Sequence, residues 1–385
     1  MNEAVDSRAA LANAATATVP TSGVNFDRPL VCLLGLPFDA ISIAQAVLRI
    51  RADAFARRRC FVSTPNLNFV ITARSDAAFR GSVLRSDLSL VDGMPLVWVA
   101  RLLRLPVHGR VSGADVFEAL QAHPGPAISV YLFGGPAGVG ERACEQINRR
   151  GGGLRCVGFD TPGFGSVESM SSAAQIARIN ASGAQFVVVA LGAKKGQAWI
   201  EHNAALLTAP VLSHLGAVVN FAAGGVQRAP AWMQGSGLEW LWRIKEEPVL
   251  WRRYWGDGLS GAWLLLTRVL PDAMQALMAG TRVPGAARVE VRQSANGTTL
   301  ALHGPWRTGG VADLRAALTV CAASNARVTI DMSCVTDGGA AVVATLLVAK
   351  GWFGSRAGFG VVGASPAAAA TFRRKLADQA LLGID

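Results

Sequence analysis

Up to Gly237, short apolar runs alternate with segments whose apolar residues recur at helical spacing. The runs at 31–34, 60–63, 88–91, 129–133, 155–158, 186–191 and 211–215 are short and almost wholly apolar, and they read as buried strands. The segments between them, such as 41–56 and 139–149, carry the helical spacing. This alternation predicts an α/β fold built on a doubly wound, Rossmann-like, mainly parallel sheet. Ligands of such sheets bind at the carboxyl ends of the strands, so chemistry is to be sought in the loops that follow strands.

The pattern changes after Gly237. The stretch 238–270 is crowded with Trp240, Trp242, Trp251, Tyr254, Trp255 and Trp263, interleaved with Arg243, Lys245, Arg252, Arg253 and Arg268. Pro248 divides it into two helical pieces. Trp and Arg together suit a membrane interface, where amphipathic rings sit among anionic head groups. A packed helical hairpin with the Trp residues in its core fits the same pattern. From about Ala287 a smaller β/α unit begins, with strands at 288–291, 299–303, 328–332 and 359–362 and helices at 310–323 and 339–350. The expected division is a loose tail over 1–28, an α/β domain over 29–237, a Trp/Arg-rich helical segment and linker over 238–286, and a second domain over 287–385.

Composition narrows the function classes. The 385 residues are 51% hydrophobic and 16% charged, enough for an ample core. The net charge of +11 points to an anionic partner, whether nucleic acid, an anionic membrane surface or a phosphorylated substrate. No nucleic-acid recognition motif supports the first of these. The six cysteines (Cys32, Cys60, Cys144, Cys156, Cys321, Cys334) are scattered without metal-ligand spacing and are expected to be unpaired, mostly buried thiols in a reducing cytoplasm. No secretory signal opens the chain. The apolar stretch 202–227 contains Asn203, Pro210, His214 and Asn220 and reads as buried α/β core rather than a membrane span.

Five loops offer polar chemistry after strands. Ser63-Thr64-Pro65-Asn66-Leu67-Asn68 supplies a hydroxyl and two amides that suit a sugar or a diphosphate, or a helix N-cap. In Val91-Asp92-Gly93-Met94-Pro95, Asp92 is placed to act as a general base or as a turn residue, and Pro95 can open the next helix. Arg110, in Gly109-Arg110-Val111-Ser112-Gly113-Ala114-Asp115, can neutralise a diphosphate, while Asp115 suits either substrate or a helix cap. The run from Phe133 through Gly134, Gly135 and Gly138 to Gly140 is a Gly-rich turn into a helix, where backbone N–H groups can receive a phosphate. It has neither the ending of a P-loop nor the spacing of a dinucleotide fingerprint. Last come Leu191-Gly192-Ala193-Lys194-Lys195-Gly196-Gln197 and the stretch from Asn220 to Pro230, where Lys194, Lys195 and Arg228 bring positive charge to the same sheet edge. No Asp-x-Asp triplet occurs, so no metal and no cofactor are expected.

Taken in order, these loops resemble the WecG/TagA/CpsF glycosyltransferase family over about residues 29–257. The resemblance rests on Thr64-Pro65-Asn66, Asp92-Gly93, Arg110-Val111-Ser112-Gly113-Ala114-Asp115, Phe133-Gly134-Gly135, Gly192-Ala193 with Lys195, Ala223-Gly224 and Arg228-Ala229-Pro230. Its most specific block is Gly237-Leu238-Glu239-Trp240-Leu241-Trp242-Arg243, followed by Glu247-Pro248 and Arg252-Arg253-Tyr254. It implies metal-independent, inverting transfer of a sugar from a UDP-sugar to a polyprenyl-diphosphate-linked acceptor, in the making of cell-surface or exopolysaccharide. By the same resemblance Asp92 is the base, and Thr64, Asn66, Arg110, Asp115, Gly134, Gly135, Lys195, Gln197, Asn220 and Arg228 bind substrate. Trp240, Trp251, Trp255, Arg243, Arg252 and Arg253 dock on the inner face of the cytoplasmic membrane and meet the lipid diphosphate. Two departures stand in ligand loops: Gly196-Gln197 where the family usually has Gln-Glu, and Val219-Asn220 where it usually has Phe-Asp. They leave open a non-catalytic scaffold that binds nucleotide sugar or lipid.

The C-terminal unit resembles a STAS domain through Leu302-His303-Gly304, 329–333, Val335-Thr336-Asp337-Gly338-Gly339 and Val361-Val362-Gly363. That resemblance implies a docking or nucleotide-sensing module, open to a protein partner. Where signalling members carry a phosphorylated Ser, this chain has Gly338, so the phospho-switch is expected to be absent.

Overall fold

The computed structural model describes residues 24–225, 229–230, 232–233, 237–246, 248, 251–278, 285–295, 297–307, 309–324 and 326–383. The strands are β1 (Leu30–Leu33), β2 (Leu36–Asp39), β3 (Cys60–Ser63), β4 (Leu88–Ser89), β5 (Ile128–Gly134), β6 (Leu154–Asp160), β7 (Phe186–Ala190), β8 (Val211–His214), β9 (Arg288–Ser294), β10 (Gly297–Trp306), β11 (Val328–Gly338) and β12 (Phe359–Val362). The helices begin with α1 (Ile43–Phe55), α2 (Leu67–Ser75), α3 (Ala77–Leu84), α4 (Met94–Leu102), α5 (Gly113–Ala122), α6 (Val139–Arg150), α7 (Ala173–Ala181) and α8 (Ala193–Asn203). They continue with α9 (Gly216–Ala222), α10 (Glu239–Glu246), α11 (Trp251–Leu264), α12 (Leu270–Met278), α13 (Val311–Ser324), α14 (Ala340–Gly354), α15 (Pro366–Arg374) and α16 (Asp378–Leu382).

These elements form two compact units that share the chain in alternating pieces. One takes the described residues of Ser42–Thr64 and Val111–Leu250, the other those of Gly23–Ile41, Pro65–Arg110 and Trp251–Asp385.

In the first unit β3, β8, β7, β5 and β6 lie side by side in that order, every pair parallel. Parallel strands buried on both faces need apolar residues throughout, which is why β5 and β7 read as unbroken Val/Ile/Leu/Phe runs. From β5 the chain moves outward to β6, and from β7 it moves the other way to β8. The crevice between β5 and β7 is therefore the topological switch point, where a doubly wound sheet receives ligands. One core of this unit is built on Phe133, Val187, Val189, Trp199, Ile200 and Leu212, with the Phe133 and Trp199 rings stacked 4.2 Å apart.

In the second unit β12, β11, β10 and β9 form a sheet in that order, parallel except for the antiparallel β9–β10 hairpin. Helix α14 is buried along nearly all its length, and its core takes in Phe26, Leu30, Cys32 and Leu84 together with Leu300, Ile330, Leu346 and Phe353. Residues of the presumed tail thus belong to this core: Phe26 is fully buried and stacks on Phe353 at 5.9 Å, and Arg28 is buried in an ion pair with Asp39. Residues 1–23 lie outside the described residues.

Two sequence expectations need correction. The run at 31–34 is not a strand of the parallel sheet; β1 pairs with β2 as an antiparallel hairpin. The turn is Leu34-Gly35, both at positive φ, the tight reversal that matches strand twist. The whole segment is apolar on both sides of that turn, so the reversal leaves no polar mark. The cysteines also differ, for Cys144 of α6 and Cys156 of β6 form a disulfide across adjoining elements, with Cα atoms 5.1 Å apart. Cys32, Cys60 and Cys321 are free and buried, and Cys334 is free and exposed. Burial pushes the Cys32 thiol up to about 12.

Candidate active site

At the switch point the loops after β5 and β7 meet through glycine. Gly134 has φ +101°, and a Cβ there would stand 2.7 Å from the Ala190 carbonyl oxygen, so only glycine fits. The Gly135 N–H donates to that same carbonyl at 3.0 Å. Gly135 (φ +85°) and Gly192 (φ +78°) have open space where a side chain would project. Main chain is therefore accessible on both lips of the crevice, and it leads into α6 and α8, whose starts carry the positive end of the helix dipole that favours an anion. Lys195 is half-buried in the first turn of α8, and its Nζ donates to the Gly165 carbonyl at 2.8 Å.

Further along the same sheet edge, β3 and β8 end in polar side chains. Gln197 is buried and its Nε2 donates to Ser63 Oγ at 2.8 Å, so Gln197 is held against the residue that precedes Thr64. Gln197 Oε1 has no hydrogen-bond partner among the described residues. Thr64 is buried, and a Cβ at Gly113 would lie 3.4 Å from its Cγ2 and overlap Leu215, so α5 starts as close to β3 and β8 as glycine allows. Ser112 caps α5 by accepting from the Asp115 N–H at 3.1 Å, and its hydroxyl donates to Asp115 Oδ2 at 2.6 Å. Of the two uses open to Asp115, support of the cap is the one seen. Asn220 is half-buried on α9, and the Arg243 guanidinium lies 5.4 Å from the centre of the Phe221 ring one residue on.

The second unit holds the candidate base. Asp92 follows β4 and is half-buried, and its N–H donates to the Pro65 carbonyl at 3.0 Å. Gly93, at φ +108°, caps α4, with Pro95 in the first turn. A Cβ at Gly93 would lie 3.9 Å from Asn66 Cβ, so Asp92-Gly93 and Pro65-Asn66 run alongside each other. Asn66 Oδ1 accepts from the Phe69 N–H at 3.2 Å and caps α2. Arg110 is half-buried on the loop that precedes the chain's return to the first unit.

Helix α11 is also part of this unit. Asn68 Nδ2 donates to Asp257 Oδ1 at 3.1 Å, and a Cβ at Gly261 would stand 2.9 Å from Leu67, so α11 lies directly on α2. Trp251, Trp255, Leu259 and Trp263 are all exposed at intervals of one helical turn. Arg252 and Arg253 are exposed beside them, with Arg253 3.7 Å from Asp257. Trp240 of α10 is exposed as well. Among the described residues no helix is long and apolar enough to cross a membrane.

Within the units, therefore, Gly134, Gly135 and Lys195 share the switch-point loops, Gln197 reaches the Ser63-Thr64 turn, and Asp92 lies beside Asn66. Arg228 lies outside the described residues. Two residues were not singled out from sequence. Asp257 fixes α11 to α2 through Asn68, a contact 189 positions apart that no local pattern reveals. His214 closes β8 against Gly196; the signal available was the departure at Gly196 itself, a glycine inside a helix.

The profile of the Glycosyl transferase WecG/TagA/CpsF family matches residues 31–275. An N-acetylglucosaminyldiphosphoundecaprenol N-acetyl-beta-D-mannosaminyltransferase of Bacillus subtilis is 29% identical over 194 residues, which is 50% of this chain and 73% of the relative. The protein of the same name from Bacillus spizizenii is 27% identical over 194 residues, 50% of this chain and 74% of the relative. With a strand-loop scaffold of this kind and a match across more than half its length, the chain belongs to the WecG/TagA/CpsF family of glycosyltransferases.

Proposed function

We propose that this glycosyltransferase moves a hexose or N-acetylhexosamine from a UDP-sugar to a polyprenyl-diphosphate-linked acceptor, with inversion and without a metal. The observation that carries the reading is the placement of Asp92: a half-buried carboxylate on a glycine-flanked loop, fixed by its own N–H to Pro65 and running beside Asn66. Asp92 takes the proton of the acceptor hydroxyl as that oxygen attacks the anomeric carbon. The bond from the anomeric carbon to the diphosphate oxygen breaks, UDP departs, and the configuration inverts. In the first unit the Gly134-Gly135 turn, Gly192 and the helix starts behind them receive the diphosphate, with Lys195 adding charge. The acceptor class follows the names of the two Bacillus relatives. The exposed Trp stripe of α11 with Arg252 and Arg253 supports docking on the inner face of the cytoplasmic membrane, where a polyprenyl substrate resides. Residues 287–385 act as a STAS-like docking or nucleotide-sensing module, open to a protein partner. A Cβ at Gly338 would lie 2.9 Å from Thr371, which leaves no room for a phosphorylated side chain.

The test is a screen of UDP-sugars against a lipid-linked acceptor, read by mass spectrometry. Asp92→Ala is expected to lower turnover by about a hundredfold or more, the effect of removing a general base. Turnover equal to wild type removes Asp92 from that role. The altered Gly196-Gln197 and Asn220 favour a scaffold as the second reading, and transfer by the purified chain eliminates it.

A further inference from the structure

We propose that the chain forms a twofold dimer in which β9 pairs antiparallel with β9 of a second copy, centred on Val291. The inference stands on the geometry of this sheet and needs neither the transferase reading nor the docking-or-sensing reading of the unit.

β9 is one edge of the four-stranded sheet, with β10 as its strand neighbour. The other edge, β12, has four residues, whereas β9 has seven. Edge strands are usually kept from pairing by shortness, proline or a bulge. β9 contains no proline and runs against β10 without a register shift. Thr298 pairs with Gln293 and donates its N–H at 2.8 Å to the Arg327 carbonyl, on the β11 side. The 293–298 pair is therefore of the kind that exchanges no hydrogen bonds, and Gln293 turns its own N–H and C=O to the open side. Alternation gives Val291 and Val289 the same direction. Among the described residues nothing bonds to these outward groups.

Charge complementarity selects both the occupant and the register. Arg288, Glu290 and Arg292 share one face, where Glu290 accepts from Arg292 at 2.9 Å and lies 3.2 Å from His303 Nε2. All three are exposed, and so is Val291, at 52%. A twofold axis through Val291 sets Glu290 opposite Arg292 of the second copy, twice over. It also pairs the whole of β9 and closes hydrogen bonds at Val289, Val291 and Gln293. The two charge pairs then fall at the positions that exchange no hydrogen bonds, where Cα atoms approach to about 4.5 Å and side chains are closest. Moving the axis by one residue sets Glu290 opposite Glu290, or Arg292 opposite Arg292, which like-charge repulsion disfavours. The axis through Val291 also covers that exposed side chain with its own copy. Self-complementarity of this kind is what an isologous contact requires.

The experiment follows the full chain by sedimentation velocity across a concentration series, with thermal melting of every variant. Wild type is expected to pass from monomer to dimer as concentration rises. Glu290→Arg and Arg292→Glu each set like charges opposite at two places and should raise the dimer dissociation constant about tenfold or more. The variant carrying both changes restores opposite charges across the axis and should recover most of that loss. Val291→Pro removes only an outward-facing N–H, so it should abolish the dimer and leave melting near that of wild type. Trp251→Glu with Trp255→Glu should leave dimerisation unchanged, which separates β9 pairing from association through α11. Wild type that stays monomeric at every concentration overturns the proposal and leaves both readings above standing. A dimer indifferent to Val291→Pro, one dissolved by the two Trp changes, or a folded charge swap no better than its single changes overturns it too. If either single charge change fails to melt cooperatively, Val291→Pro and the charge swap decide it.

Discussion

Arg28 and Asp39 are both buried, and each is satisfied by more than the other. Arg28 Nε and Nη2 reach the two Asp39 oxygens at 2.9 and 2.6 Å, Arg28 Nη1 donates to the Ser86 carbonyl at 3.0 Å, and Asp39 Oδ2 also accepts from the Ser89 N–H at 2.7 Å. The pair ties the β1–β2 hairpin to β4, three residues before Asp92. Replacing one member strands the other charge away from water, so Asp39→Ala is expected to cost about 3–5 kcal/mol in urea unfolding. A loss below about 1 kcal/mol would show that the site admits water. None of this was legible in the sequence, where Arg28 closes a polar tail and Asp39 ends an apolar run. The loops that hold Asp92, Gly134 and Lys195 were legible, because buried parallel strands announce themselves and the residues after them are the ones with freedom to face a ligand. His214 was not, since its place is defined by a glycine on a different element.

Among the elements, α14 and α11 are opposites. Helix α14 is buried on nearly every side, and Gly351 marks its closest approach: a Cβ there would stand 2.5 Å from the Leu84 carbonyl carbon at the end of α3. Alanine is the better helix former, yet Gly351→Ala should lower stability by about 1–3 kcal/mol through overpacking. A rise in melting temperature would instead mean that α3 can retreat. Helix α11 turns three Trp residues and Leu259 outward on one stripe. Vesicle co-sedimentation should therefore weaken with Trp251→Glu and Trp255→Glu together, more on anionic vesicles than could be explained by the two added charges alone, which a Asp257-sparing control such as Leu48→Glu calibrates on the first unit. Binding that survives the double change would return α11 to the packed-hairpin reading. The sequence left those two readings open because period and composition show that Trp recurs, and only exposure separates a docking stripe from a core.

For the whole molecule, the larger departure from a linear reading is how the units share the chain. A division at residue 287 follows the change of pattern, and the expected strands and helices beyond it are present with modest shifts of their ends. Yet the core around α14 also contains Phe26, Leu30, Cys32 and Leu84. Periodicity reveals that such residues are buried; it carries no record of what buries them. A chain ending at residue 286 should consequently lose more than a docking module. It is expected to aggregate or to fail in sugar transfer, measured by size-exclusion chromatography and turnover, whereas a detachable domain would leave both intact.

The same interleaving imposes an order in time. The β1–β2 hairpin leaves the ribosome roughly three hundred residues ahead of α14, which at usual synthesis rates is a wait of about 15 to 60 seconds. Through that interval Leu30 and Cys32 have no native cover, so the unit that carries Asp92 reaches its final form only once α14 has emerged.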